Sequence, residues 1–180
     1  MTELLFMKDC YLKEFDAKVI SANGNLVELD KTAFFPTGGG VVHDNGKLIS
    51  GGKEMIVSNV TKNSGKVFHE IDGSLNVGDS VHGILDWDRR YKLMRTHTAA
   101  HLMSTVIFKH SGALMTGGNI DFDKAREDYS IPFDKETFQK FIDESNEIIE
   151  KGAEVKIYFL SREEAMKIPG IVKLATAAPP

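Results

Sequence analysis

Near Asp86 the apolar residues of this chain change their spacing, from alternate positions to every third or fourth, and that one break limits what the chain can fold into. Before it, short strand-like runs are punctuated by turn residues. After it comes a long helical stretch followed by mixed elements. The sequence therefore predicts an α+β protein: an N-terminal small β-barrel-like domain over residues 1–87, then over 88–180 an α+β domain with helices packed on an antiparallel sheet. With 42% hydrophobic residues and 27% charged, the chain can bury a core. No apolar run approaches the roughly 20 residues of a membrane helix, and no basic-then-apolar leader opens the chain, so the expected location is cytoplasmic. Cys10, the single cysteine, excludes an internal disulfide. A net charge of -4 means that any grip on a polyanion must come from local basic patches.

In the first half, residues 17–22 and 25–30 flank Asn23-Gly24, a strong hairpin signal. Further strands are expected over 54–60 and 66–71, joined across Lys62-Asn63-Ser64-Gly65, and over 80–87. Between them Phe35-Pro36-Thr37-Gly38-Gly39-Gly40 is too glycine-rich for a regular element. Its glycines permit positive φ and close approach of a ligand to the backbone, and by itself the stretch reads as a wide turn.

From Asp88 to about position 110, Tyr91, Met94, Thr98, His101, Leu102 and Thr105 follow the helical spacing and mark the expected buried stripe. Asp86 or Asp88 suits the N-cap, Ser111-Gly112 the stop, and His110 the negative end of the helix dipole. Four residues apart on this helix, His97 and His101 can aim their imidazoles at one point, which is half of a zinc site. With six histidines in 180 residues, roughly 0.2 such pairs arise by chance, so spacing alone does not make a site. The metalloprotease pattern H-E-x-x-H needs a glutamate where Thr98 stands, which disfavours that chemistry. Ala99 and Ala100 keep the surface low beside the pair, and Arg95, with Arg89, Arg90 and Lys92, offers positive charge to a polyanion.

Residues 113–123 and 126–132 read as two strands about a charged turn at Asp123-Lys124, with Thr116 near the start of the first. Asp134 caps a second helix to about position 151, burying Phe138, Phe141, Ile142, Ile148 and Ile149 and ending at Gly152. Residues 155–160 form an apolar strand. Ser161-Arg162-Glu163-Glu164 is a capping box opening a short helix that Pro169-Gly170 ends.

Arg95-Thr96-His97-Thr98-Ala99-Ala100-His101, preceded by Phe34-Phe35-Pro36-Thr37-Gly38-Gly39-Gly40, resembles the AlaX family, free-standing homologues of the alanyl-tRNA synthetase editing domain, in its medium-length type with an N-terminal β-domain. The resemblance covers almost the whole chain. It implies a trans-acting hydrolase that deacylates mischarged tRNA(Ala), chiefly the seryl and also the glycyl form, with zinc held by His97 and His101. It also implies a pocket threonine at about Thr116, and a loop, Gly38, Gly39 and Gly40, that approaches the editing pocket; Arg95, by its charge, is the further expected substrate contact. Two departures stand out. The family continues its glycines with glutamine, where this chain has Val41, and it completes the zinc site with a C-x-x-x-H pair, which this sequence does not contain before Pro180. The expectation is therefore either a chain that stops short of the complete editing domain or one that has lost its metal. The rival reading is a non-catalytic tRNA-binding or accessory module related to alanyl-tRNA synthetase.

Overall fold

The computed structural model describes residues 2–168. Its elements follow as β1 (Glu3–Leu4), a 3-10 turn (Leu5–Met7), β2 (Glu14–Asn23), β3 (Leu26–Leu29), β4 (Lys31–Thr32), β5 (Gly46–Ser50), β6 (Lys53–Asn63), β7 (Lys66–Ile71), β8 (Ser80–Leu85), α1 (Trp87–Ser111), β9 (Met115–Ile120), β10 (Ala125–Tyr129), α2 (Lys135–Glu150) and α3 (Arg162–Met166). Two compact units divide the chain. One takes in residues up to Met94 together with Ile120–Lys124, the other Arg95–Asn119 together with residues from Ala125 onward.

In the first unit, β2 alternates buried Phe15, Ala17 and Val19 with exposed residues, the period-two pattern of a strand with one wet face. Six strands close into a barrel in the order β2-β3-β7-β6-β5-β8, every neighbouring pair antiparallel, and β3 departs from the alternation with Val27, Glu28 and Leu29 all buried. Closure leaves no exposed edge, and the inward faces supply Val27, Leu29, Leu48, Val57, Val60 and Val67, all fully buried. The small all-β unit thus forms as expected, with three adjustments. The first hairpin turns on Gly24-Asn25, because Asn23 still pairs with Leu26. Strand β5 was not expected, and it pairs with β6 across Gly51 and Gly52, whose φ angles of 55° and 78° suit a type I′ turn. The last strand ends at Leu85, since Trp87 already opens α1 and stacks on Tyr91 with centroids 5.6 Å apart.

His69 sits at the barrel's centre, fully buried, with Phe34 packed edge-on to its ring. Its Nδ1 lies 3.2 Å from the Val27 carbonyl oxygen and therefore carries the proton, leaving Nε2 to accept from the Thr32 hydroxyl at 2.8 Å. Burial pushes its pKa down from 6.5 to about 4, against a smaller upward pull from the Val27 carbonyl. In the folded state the ring stays neutral to about pH 4, while in the unfolded chain it protonates below 6.5, so stability is complete above 6.5 and is lost as pH falls towards 4. At about 1.36 kcal/mol per pH unit the loss is about 3 kcal/mol. Urea unfolding followed by Trp87 fluorescence at pH 7 and pH 4 should show this drop in the wild type and a shallower one in His69→Gln. Parallel pH profiles would refute the assignment.

The helix α1 starts where Asp86 accepts the Arg89 N–H at 3.1 Å, so Asp86 and not Asp88 is its N-cap, and it stops at Gly112, whose N–H bonds the Phe108 carbonyl at 2.8 Å. Its buried face differs from the expected stripe. Arg90, Leu93, Ser104, Val106 and Ile107 are buried, whereas Tyr91, Thr98, His101 and Thr105 are exposed. The expected set mixed two faces, because an apolar neighbour three or four residues away does not say which side meets the core.

Strands β9 and β10 form a hairpin whose tip, closed by Asp121 N–H to the Lys124 carbonyl at 2.8 Å, is grouped with the first unit, and whose base in the second unit is tied by Ser130 N–H to the Leu114 carbonyl at 2.9 Å. Asp134 caps α2 by accepting from Thr137 N–H at 2.7 Å. A small core joins Val106, Ile107, Ala113 and Phe141. On α2 the expectation fails at Ile149, which is 55% exposed. His110 does more than sit at a helix end: its Nε2 lies 2.6 Å from Glu144 Oε2 on α2. Residues 155–160 form no strand, and Phe159 is 72% exposed. Strand propensity needs a ladder partner, and none of the described residues pairs with this stretch. The capping box does form, Ser161 with Glu164, and the expected stop at Pro169-Gly170 lies outside the described residues. Among the described residues no helix is long and apolar enough to cross a membrane.

Candidate active site

One turn of α1 separates His97 from His101, and both side chains bend to the same point. Their Nε2 atoms are 3.0 Å apart and their ring centroids 4.6 Å, with the planes tilted by 54°. Two nitrogens at that distance either share one proton or aim their lone pairs at a common electrophile. His97 is half-buried, and its pKa is lowered by desolvation first and by the neighbouring His101 second. A depressed pKa keeps the ring neutral, which is the form that binds a metal. The donor set suits zinc, a tetrahedral ion with a preference for imidazole, but among the described residues no third histidine, cysteine or carboxylate joins the pair.

Positions 97, 100 and 104 are separated by three and four residues and so make one stripe along α1. Ala100 on that stripe lines a concavity of about 480 Å³, walled by Met103, Phe138, Ile142, Glu127 and Tyr129. Ser104, buried, donates to Glu127 Oε1 at 3.1 Å, and Tyr129 donates to Glu127 Oε2 at 2.7 Å. Each hydroxyl has one proton, so the 3.2 Å contact between Ser104 Oγ and Tyr129 Oη is a contact of oxygens that have already donated elsewhere. Burial holds the Tyr129 phenol well above its usual range, so it remains a donor. None of these three residues was singled out from the sequence. A usable signal was present: Ser104 is three residues after His101, and Glu127 and Tyr129 alternate along one strand, so they share a face. A second concavity, about 450 Å³ on the barrel surface, is lined by Asp16, Lys31 and His82, and there His82 Nδ1 lies 2.8 Å from Asp16 Oδ1 and its Nε2 3.2 Å from Glu14 Oε2.

Of the remaining expected site residues, Thr116 and Arg95 belong to the same unit as the histidine pair, and Gly38, Gly39 and Gly40 to the barrel unit. Thr116 is exposed on β9, and its side chain points to the strand face opposite Met115, the residue whose sulfur contacts Ser104. Arg95 is exposed and two residues from His97, hence on the far side of the helix. Of its basic neighbours Arg90 is not a surface charge at all. It is 4% exposed, donating through Nε to Asp44 at 2.9 and 3.0 Å, through Nη2 to Asp44 again and through Nη1 to the Cys10 carbonyl at 3.0 Å. Lys92 lies 4.0 Å above the Phe122 ring. The loop Gly38, Gly39 and Gly40 belongs to the barrel unit, and it is a tight turn rather than a wide one. Gly38 and Val41 exchange two 3.0 Å backbone bonds across Gly39 and Gly40, whose φ angles are 59° and 78°. Val41 is 7% exposed and bridges to Ile120, so its side chain packs inward, where a glutamine amide would lack water.

A closed antiparallel barrel, followed by an α+β unit whose first helix carries a converging histidine pair, is the setting in which the tRNA synthetases class II (A) family matches residues 3–89. The class is thus that of proteins related to the aminoacyl-tRNA synthetases. The alanyl-tRNA editing protein AlaX-M of Saccharolobus solfataricus is 49% identical over 184 aligned residues, taking in 100% of this chain and 78% of the relative. AlaX-M of Methanosarcina barkeri is 43% identical over 92% of this chain and 72% of the relative. The alanine–tRNA ligase of Ignicoccus hospitalis is 39% identical over 91% of this chain, which corresponds to 19% of that much longer enzyme. The chain belongs to the AlaX-M family.

Proposed function

We propose that this chain edits tRNA(Ala) in trans, hydrolysing the ester that joins a wrong amino acid to the tRNA, chiefly serine and also glycine, with zinc held at His97 and His101. The observation that carries the reading is the 3.0 Å convergence of the Nε2 atoms of half-buried His97 and exposed His101 on α1, in a member of the AlaX-M family. Zinc bound there would polarise an ester carbonyl or bring the pKa of a bound water towards about 7. The chain's own part begins with protonation. Both rings present a bare Nε2 when their proton sits on Nδ1, and desolvation of His97 favours that neutral form. The low alanine surface next to them leaves room for an ester. The concavity lined by Ala100 and Met103 offers apolar walls to the acyl group.

Recognition energetics give the reason for such an activity. A synthetase pocket shaped for alanine rejects the added hydroxyl of serine by only about 10²-fold. A second site that binds the hydroxyl sorts in the opposite direction, and glycine enters it by permissive fit. The tRNA is charged in the cytoplasm, and we place the activity there. Incubated with the protein and zinc, Ser-tRNA(Ala) should lose serine faster than Ala-tRNA(Ala) loses alanine, with zinc content measured on the same sample. Equal slow loss from both would overturn the reading, and tRNA binding without deacylation would favour an accessory module.

A further inference from the structure

Among the described residues Glu127 is a half-buried carboxylate with no cation in an ion pair to it, and the histidine pair does not use it. Glu127 faces a mostly apolar concavity of about 480 Å³. Its two oxygens each take one hydroxyl proton, from Ser104 at 3.1 Å and from Tyr129 at 2.7 Å. On the same strand Arg126 turns away, 3.2 Å from Asp128. A carboxylate has about four acceptor sites, so these two hydroxyls leave about two of them to a ligand in the concavity that Glu127 lines. Two neutral hydroxyls orient the carboxylate without supplying a counter-charge, which a cationic group of a ligand would do. Ser104 shares the α1 stripe of His97 and Ala100, so Cβ atoms at successive positions of the stripe lie about 5–6 Å apart.

On the proposed editing activity an aminoacyl ester brings such a counter-charge. Its amino group is largely protonated at neutral pH, as α-amino groups are, and it sits one carbon from the carbonyl to be attacked. We propose that Glu127, held by Ser104 and Tyr129, binds the α-ammonium group of the aminoacyl ester and so points the acyl carbonyl at the histidine pair. This inference rests on the editing reading and adds to it a residue that recognises the feature common to every aminoacyl group. Side-chain selection is left to other contacts. Glu127 is a binding residue, and Ser104 and Tyr129 are positioning residues.

The test is calorimetric titration of the full chain with 3′-seryl-aminoadenosine, a non-hydrolysable amide analogue, and with its N-acetyl form, run beside deacylation of Ser-tRNA(Ala). A hydrogen bond to a charged group contributes roughly 1.5–3 kcal/mol, so Glu127→Gln should weaken the free-amine analogue by about tenfold to a hundredfold. The N-acetyl analogue should bind wild type and Glu127→Gln alike. Tyr129→Phe, which keeps the charge and loses one tether, should raise KM with a smaller change in kcat, and it stands in if Glu127→Gln fails to fold. Deacylation with equal KM in wild type and Glu127→Gln would overturn the ammonium contact while leaving the editing activity standing. An amine preference that Glu127→Gln abolishes, in a protein that does not deacylate, would uphold the contact and sink the hydrolase. A wild type that neither binds the analogue nor deacylates would remove both.

Discussion

Replacing Asp44 with alanine should lower the stability of the barrel unit by roughly 3–5 kcal/mol, the cost of leaving a buried guanidinium without its partner. Asp44 and Arg90 are 2% and 4% exposed. Around them the charges are well used: Asp44 also accepts the Phe35 N–H at 2.6 Å, and Arg90 reaches the carbonyls of Cys10 at 3.0 Å and Ala33 at 2.5 Å. The pair therefore ties the start of α1 to three loop segments of its own unit. Removing both charges is a milder lesion than removing one, since no uncompensated ion remains, so Asp44→Ala with Arg90→Met should lose less than the sum of the single changes. Urea unfolding followed by the single tryptophan, Trp87, reads this directly. A loss below about 1 kcal/mol for Asp44→Ala would show that water reaches the pair.

His97→Ala and His101→Ala should each reduce deacylation of Ser-tRNA(Ala) by more than about 100-fold. Loss of a group that merely orients a metal ligand already costs about 10–100-fold, and each of these changes would remove a ligand itself. Stability should hardly move for His101→Ala, because His101 is exposed and surface substitutions usually stay within about 0.5 kcal/mol. Zinc content should fall together with activity. Variants that hydrolyse at the wild-type rate would take the histidine pair out of the reaction, and variants that lose activity through unfolding would be recognised by far-ultraviolet circular dichroism.

Features set by neighbours along the chain were legible without coordinates. The Ser161 and Glu164 capping box, the Asp134 cap, a turn within Lys62-Asn63-Ser64-Gly65, which narrows to Ser64-Gly65 because Asn63 pairs with Lys66, and the one-turn spacing of His97 and His101 are all consequences of short-range geometry. So was the alternation that makes the first half a β unit. What the sequence could not decide is which faces meet. Arg90 reads as one of a basic run, yet it is buried against Asp44, which lies 46 residues earlier. Residues 155–160 have the composition of a strand and pair with no strand among the described residues. Glu127 is one carboxylate among many in the sequence, and only its meeting with Ser104 and Tyr129 sets it against a cavity wall. Local conformation is encoded in the few dihedrals between adjacent residues. A long-range pairing is chosen by the free energy of closing a loop and burying both partners together, and that quantity belongs to the folded chain.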